Sequence, residues 1–406
     1  MSELDKNDHR RIGQELDLFV FSDLVGSGLP MWTPKGTVIR QELDNFVWEL
    51  RSKYGYERVT IPHITRRDLY ETSGHWDKFG DDLFKIVSRE GKDFALKPMN
   101  CPHHTQIFAR KPHSYREMPQ RYAETTMVYR DEQSGELGGL TRVLSITQDD
   151  SHVFCRTSQI KDEFLKIWDM VDRFYSTFGF SLKVRLSFRD QKTPEKYLGT
   201  SEIWNHAESA LREIAEDRKA DYLEGPGEAA LYGPKLDFMA TNAAGREWQV
   251  ATIQLDMNLP ERFDLNCINE KSEKERIVMI HSAITGSIER CTAVLLEHFN
   301  GSLPLWLSPV QVKVLPIGEG HIEYAKEIFE KLKAESIRVE LDDSNESLGK
   351  KIRNAKTEKV PYMLVIGDKE VTEDKVTLES RTDEKFGQIE IDKLVSKLKQ
   401  EIKERK

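Results

Sequence analysis

Two β-rich stretches between Tyr122 and Phe154 flank the turn-like run Ser134-Gly135-Glu136-Leu137-Gly138-Gly139. A glycine-bearing loop between two such stretches predicts a hairpin, whose strands are antiparallel neighbours. The surrounding spacing adds helices. One is predicted over Thr37–Tyr54, with Ile39, Leu43, Phe46, Val47 and Leu50 on a single stripe. A short strand over Arg58–Ile64 is interrupted by Pro62, which confines it to an edge or a bulge. A helix over Ser158–Phe178, strands over Leu182–Phe188 and Glu247–Leu255, and an apolar helix over Ala283–Phe299 follow. Helices interleaved with hairpin-connected strands predict an α+β domain on an antiparallel sheet.

The pattern changes after Gly301-Ser302-Leu303-Pro304. Strands over Val310–Leu315, Ile337–Leu341 and Tyr362–Ile366 alternate with helices over Tyr324–Leu332, Leu348–Ala355 and Ile391–Ile402, which reads as βαβ units. The chain is therefore divided into an α+β domain at 1–300 and a smaller α/β domain at 301–406. Lys350, Lys351, Lys356 and Lys359 cluster around one helix of the second domain, as a solvated face or a phosphate-contacting surface.

Composition narrows the function. No apolar run approaches the ~20 residues of a membrane span. The charged N-terminus lacks the apolar core of a secretory signal. Cys101, Cys155, Cys267 and Cys291 are far apart, which fits a reducing cytoplasm. With 60 Lys+Arg against 69 Asp+Glu, the net charge of −9 offers polyanions no general attraction, so a nucleic-acid partner needs a local basic surface.

Three constellations carry candidate chemistry. Alternation from Thr141 to Phe154 puts Arg142, Leu144, Ile146, Gln148, Asp150 and His152 on one face, either a floor for a polar ligand or a solvated surface. Cys101, in Met99-Asn100-Cys101-Pro102-His103-His104, together with His152 and His281, offers a thiolate and two imidazoles. These are zinc-ligand types, although their spacing alone favours a lone buried cysteine and two unrelated histidines. Arginines stand beside acids in Tyr129-Arg130-Asp131-Glu132 and Gly286-Ser287-Ile288-Glu289-Arg290, as phosphate binders or structural ion pairs. Neither a phosphate-binding G-x-x-x-x-G-K-[ST] loop nor a G-x-G-x-x-G after a strand is present.

Together these segments resemble the threonyl-tRNA synthetase family of class II aminoacyl-tRNA synthetases, over nearly the whole chain. Gly55 to Pro62 is similar to the first class motif, at the dimer interface; Tyr129-Arg130-Asp131-Glu132 with the Arg142 strand to the second; Gly286 to Arg290 to the third. Met99-Asn100-Cys101-Pro102, Gln148-Asp149-Asp150-Ser151-His152 and Tyr232-Gly233-Pro234-Lys235 resemble stretches specific to the threonine enzyme. The last domain resembles an anticodon-binding domain, most closely at Val360 to Glu370.

The resemblance implies ATP-dependent activation of L-threonine and its transfer to tRNA(Thr) by a cytoplasmic homodimer. It implies Zn(2+) on Cys101, His152 and His281, and Mg(2+) with ATP. Arg130, Glu132, Arg142, Gln249 and Arg290 are the implied ATP contacts, with Lys235 beside the reacting groups and His75 near the terminal ribose. Met99, Gln148, Asp150, Tyr232, Thr252, Gln254, Ala283 and Ser287 are the implied threonine contacts. Leu144, Ile146, Ser282 and Glu379 stand where the family usually has other residues, and no N-terminal editing module is expected ahead of Asp8. A paralogue that binds threonine or RNA without charging tRNA, as a regulator or resistance factor, is the alternative.

Overall fold

A computed structural model describes residues 5–243, 245–382 and 384–406. The chain forms two compact units, one from Ser22–Pro30 and Asp44–Cys291, the other from Met1–Phe21, Met31–Leu43 and Thr292–Lys406. The N-terminal segments thus group by packing with the C-terminal third rather than with the large sheet that follows them.

The large unit is built on an eight-stranded sheet. Its spatial order is Tyr222–Pro226, Leu182–Phe188, Lys235–Thr241, Glu247–Asp256, Val278–Ser287, Ser145–Cys155, Gln120–Tyr129 and Glu57–Arg58. The six central strands pair antiparallel, and only the two edge strands pair parallel. The predicted hairpin is the Gln120–Tyr129/Ser145–Cys155 pair, in continuous register from Gln120↔Phe154 to Tyr129↔Ser145. Pro62 lies between the edge strand Glu57–Arg58 and Ile64–Arg66, outside any ladder, where its missing N–H costs nothing.

Helix Ile160–Ser176 covers one face of the sheet with Phe164, Ile167, Trp168, Val171 and Phe174. Trp168 meets Phe238 edge-on at 5.3 Å, and the Tyr175 hydroxyl donates to the carbonyls of Val250 (3.1 Å) and Ile284 (2.9 Å). Helix Ser201–Asp217 begins at its N-cap Thr200 and buries Trp204, Ala207, Leu211 and Ile214. Because side chains alternate across a strand, the face away from Ile160–Ser176 receives the polar set: Gln148, Asp150 and His152 on one strand, Thr252, Gln254 and Asp256 on another.

One predicted element changes type. Ala283–Ser287 is not the start of a helix but the end of the strand Val278–Ser287; the helix begins at Ile288. Pairing with the Ser145–Cys155 strand outweighs the local apolar pattern, and the ladder slips between Ala283 and Ser287. Gly286, at φ 70°, makes that slip: an added Cβ would lie 3.1 Å from the Val250 carbonyl oxygen.

In the other unit the sheet order is Val339–Leu341, Val312–Pro316, Tyr362–Ile366, Val376–Ser380 and Lys385–Ile389. The first three strands are parallel, as βαβ units require, and the last two add an antiparallel meander that the sequence pattern did not suggest. Val312, Val314, Ile328, Leu332, Leu364, Leu378, Leu394 and Leu398 form its core. The lysine cluster is not one surface. Lys351 is 3% exposed and donates to the carbonyls of Pro316 (3.0 Å) and Asp342 (2.9 Å), while Lys350 pairs with Glu346 at 2.6 Å.

Candidate active site

The polar face of the large sheet opens into a cleft of about 380 Å³ lined by Arg130, Glu132, Arg142, Ile146, Gln148, Gln249, Thr252, Ala283, Ser287 and Arg290, with intervening residues. Three guanidinium groups around one hollow form a site for a polyanion. Burial, with Arg130 and Arg142 as cationic neighbours, holds Arg290 below its ordinary pKa, partly offset by Glu132. Such enforced like-charge proximity costs stability unless an anion joins the arginines. Arg142 Nε donates to Glu132 Oε2 at 2.8 Å, so these two residues hold each other at the cleft. The Arg130 guanidinium lies 5.7 Å from the Phe79 ring centroid, and its backbone N–H donates to the Leu144 carbonyl at 3.0 Å.

Leu144 does not share the cleft with Ile146. It precedes the strand, its N–H donates to the Gly28 carbonyl at 2.8 Å, and its Cγ lies 2.9 Å from where a Gly28 Cβ would be. Alternation extends only as far as the ladder, and the ladder starts at Ser145.

Lys235 and Gln249 converge on a residue that the motif reading missed. Asp237, fully buried, accepts from Gln249 Nε2 (2.8 Å) and Ser187 Oγ (2.6 Å), and Lys235 Nζ stands 3.3 Å from it. Its place two residues after Lys235, on the same strand face, was the available signal.

Beside the cleft, Cys101, His152 and His281 are all buried, with their ligand atoms within 4.8 Å of one another. The two histidines are directly opposite across adjacent strands, rings 4.7 Å apart, and Cys101 opens the helix Cys101–Ala109. Burial, then the neighbouring charges of His281 and Arg51, pushes His152 well below the ordinary imidazole pKa, which keeps it in the neutral form that ligates. Burial, with Asp150 and Asp256 nearby, pushes the Cys101 thiol well up, so the thiolate needs a cation to form. His281 Nε2 lies 2.9 Å from Asp256 Oδ2, the carboxylate behind an imidazole that metal centres use to fix ligand orientation. A thiolate and two imidazoles so oriented fit zinc with one open position.

The remaining candidates surround this centre. Asp150 Oδ2 accepts from Asn100 Nδ2 at 3.0 Å. Gln254 pairs across strands with His281, and its amide donates to the Gly233 carbonyl at 3.1 Å. The buried Thr252 hydroxyl lines the cleft without a hydrogen-bond partner among the described residues. The Tyr232 ring is 4.9 Å from His281; next to it, a Cβ on Gly233 would fall 1.9 Å from the Leu255 carbonyl oxygen, so only glycine fits. Met99 belongs to an apolar cluster with Cys101, Phe154 and Met279. His75 is buried, with Nδ1 2.7 Å from Ser73 Oγ and Nε2 without a partner among the described residues. Burial, with His281, Arg262 and Arg130 nearby, lowers its pKa to about 3. In the second unit, Arg381 donates to the carbonyls of Lys359, Ser302 and Leu303 at 2.8–2.9 Å and is thereby committed to structure.

Residues 84–299 match the family described as tRNA synthetase class II core domain (G, H, P, S and T), and residues 311–401 match the anticodon binding domain. The chain is 47% identical over 405 residues to a threonine--tRNA ligase of Porphyromonas gingivalis, covering 99% of this chain and 62% of the relative. A threonine--tRNA ligase of Cytophaga hutchinsonii is also 47% identical, with 99% and 63% covered. The chain thus spans less than two thirds of the length of these curated relatives. A crystal structure described as the RNA binding domain of threonyl-tRNA synthetase from Cryptosporidium parvum superposes with a TM-score of 0.93 at 39% identity, covering 97% of this chain and 98% of the other. A prolyl-tRNA synthetase structure from the same organism shares the fold, with a TM-score of 0.75 at 18% identity.

Proposed function

The chain belongs to the threonyl-tRNA synthetase family of class II aminoacyl-tRNA synthetases, and from that membership we propose that it activates L-threonine with ATP and transfers it to tRNA(Thr). The observation that carries this reading is the adjacency of two sites on one sheet face. An arginine-lined cleft suited to a polyphosphate adjoins a Cys101–His152–His281 cluster suited to a metal-bound amino acid.

In the first step the threonine carboxylate oxygen attacks the α-phosphorus of ATP, and pyrophosphate leaves. Arg130 neutralises the α-phosphate and the charge that grows on it, and Arg290 and Arg142 hold the triphosphate that enters with magnesium. Binding ATP separates Arg142 from Glu132, which frees the Glu132 carboxylate for the adenine amino group. Gln249 and Lys235, both set by Asp237, flank the reacting phosphate and carboxylate. In the second step the terminal ribose hydroxyl of the tRNA attacks the threonyl carbonyl and AMP leaves; His75, near the ribose, assists the transfer of the hydroxyl proton.

Cys101, His152 and His281 would hold the zinc, which when bound would supply Lewis acidity toward the amino group and hydroxyl of threonine. Asp150 accepts from the same hydroxyl, and Met99, Gln148, Tyr232, Thr252, Gln254, Ala283 and Ser287 complete the threonine site. The enzyme works in the cytoplasm as a homodimer joined through Tyr54 to Pro62, and among the described residues no helix is long and apolar enough to cross a membrane.

Threonine-dependent exchange of labelled pyrophosphate into ATP, followed by charging of tRNA(Thr), tests the assignment. Exchange and charging are expected. Threonine binding without exchange would favour the non-charging paralogue instead.

A further inference from the structure

His104 stands one helical turn beyond Cys101 on the helix Cys101–Ala109, fully buried, and no role assigned so far uses it. Its Nδ1 lies 2.7 Å from Nδ1 of His152, with the two rings nearly perpendicular at 87°. Two neutral imidazoles in that contact share one proton. Either His104 donates to His152 or His152 donates to His104.

The two arrangements differ in what they leave for a metal. If His104 donates, the His152 proton resides on Nε2, whose nearest acidic atom, Asp150 Oδ1, is 3.7 Å away and beyond hydrogen-bond reach. That proton also blocks the only ring nitrogen that His152 has left for coordination. If His152 donates, its Nδ1–H is satisfied and its Nε2 carries a lone pair. We infer that His104 is a positioning residue of the metal centre, accepting the Nδ1 proton of His152 and so presenting the His152 Nε2 lone pair to a zinc ion shared with Cys101 and His281.

The opposite ligand has the same support, since His281 Nε2 is engaged by Asp256 Oδ2 at 2.9 Å. Each imidazole ligand therefore has one nitrogen held from behind, by a carboxylate in one case and by a neutral imidazole in the other. A neutral acceptor orients the ligand without adding a second negative charge beside Asp150. The spacing Cys101-Pro102-His103-His104 gives one helix both a thiolate ligand and the group that orients a ligand on the facing strand. In that arrangement the remaining proton of His104 resides on its buried Nε2, which has no hydrogen-bond partner among the described residues.

This inference rests on the zinc reading above, and its test separates the two. Zinc content and affinity of the unsubstituted chain are measured first, by competition with a chromogenic chelator; a chain that takes up no zinc overturns both. His104→Leu, which removes the acceptor, is expected to weaken zinc binding by about 10–100-fold. His104→Gln, whose amide oxygen can accept the same proton, is expected to recover part of that loss. Far-ultraviolet circular dichroism of the metal-free variants reports folding. Zinc affinity unchanged in His104→Leu, or equally weak in a folded His104→Gln, would overturn the role of His104 and leave the zinc site standing. A readout without substitution is the ring nitrogen shifts of His152 in the zinc-loaded, histidine-labelled chain. Protonated Nδ1 with metal-bound Nε2 is expected, and the reverse assignment would overturn the inference.

Discussion

Gln249 Nε2 donates to Asp237 Oδ1 at 2.8 Å, which ties a side chain of the cleft wall to a carboxylate sealed from solvent beneath it. The other oxygen of Asp237 receives Ser187 Oγ at 2.6 Å and faces Lys235 Nζ at 3.3 Å. One buried acid therefore orients the amide and the ammonium proposed to flank the reacting phosphate.

Asp237→Ala is expected to lower the rate of threonine-dependent pyrophosphate exchange by about 100-fold, the scale of loss when reacting groups are misplaced by around an ångström. Comparing kcat and KM for ATP checks it. A loss confined to KM would mean that Asp237 supports binding and not the geometry of reaction.

Asp150 stands apart from the arginine cluster with one oxygen on Asn100 Nδ2. A site built around a substrate hydroxyl rejects an isostere lacking it by roughly 10⁴–10⁵, because the polar partners are left unpaired. Asp150→Ala is expected to cut the preference for threonine over valine by at least ~10-fold, most of it through weaker use of threonine. Exchange rates with the two amino acids measure it directly.

His75 is predicted to remain neutral. Its lowered pKa of about 3 means that the folded protein resists a proton which the unfolded chain accepts near the ordinary value of 6.5. Its contribution to stability is therefore present above 6.5 and declines as pH falls toward 3. Its ring signals are expected not to titrate across roughly pH 5–8. His75→Ala should slow single-turnover transfer to tRNA while leaving pyrophosphate exchange largely intact.

Arg121 and Glu163 form a bidentate pair at 2.6 and 2.8 Å, and Lys166 adds a third bond at 2.7 Å. Burial raises the Glu163 pKa, but the bonds from Arg121 and Lys166 outweigh it and leave the carboxyl below its ordinary value of 4.5. The pair's contribution is present above 4.5 and is lost as pH falls through the lowered value. Glu163→Gln is expected to cost about 3–5 kcal/mol at neutral pH by leaving Arg121 buried without its counter-ion. Urea unfolding should show the difference from the unsubstituted chain shrinking under acid conditions.

Much of the fold was legible because its signals are local. Apolar periodicity located the helix Ile160–Ser176, the strands Leu182–Phe188 and Tyr362–Ile366, and the hairpin whose second strand carries Gln148, Asp150 and His152. The stripe of Trp204, Ala207, Leu211 and Ile214 was present as well, yet the helix Ser201–Asp217 was not assigned. The resemblance to a family supplied what spacing could not, since Cys101, His152 and His281 are 51 and 129 residues apart along the chain (152 − 101 and 281 − 152).

Other features belong to tertiary structure alone. Strand register decided that His152 lies opposite His281 and that Asp256 reaches behind it, because a shift of one residue would turn each of these side chains to the other face. Sheet pairing decided that Ala283–Ser287 is strand, against a local pattern that also suited a helix. Burial decided that Lys351 serves backbone carbonyls, although the sequence places it in a cluster of lysines available as a solvated or phosphate-contacting surface. A sequence states which groups a chain carries and their local preference. Which groups lose water, and which partner then replaces it, depends on segments distant along the chain meeting in one register.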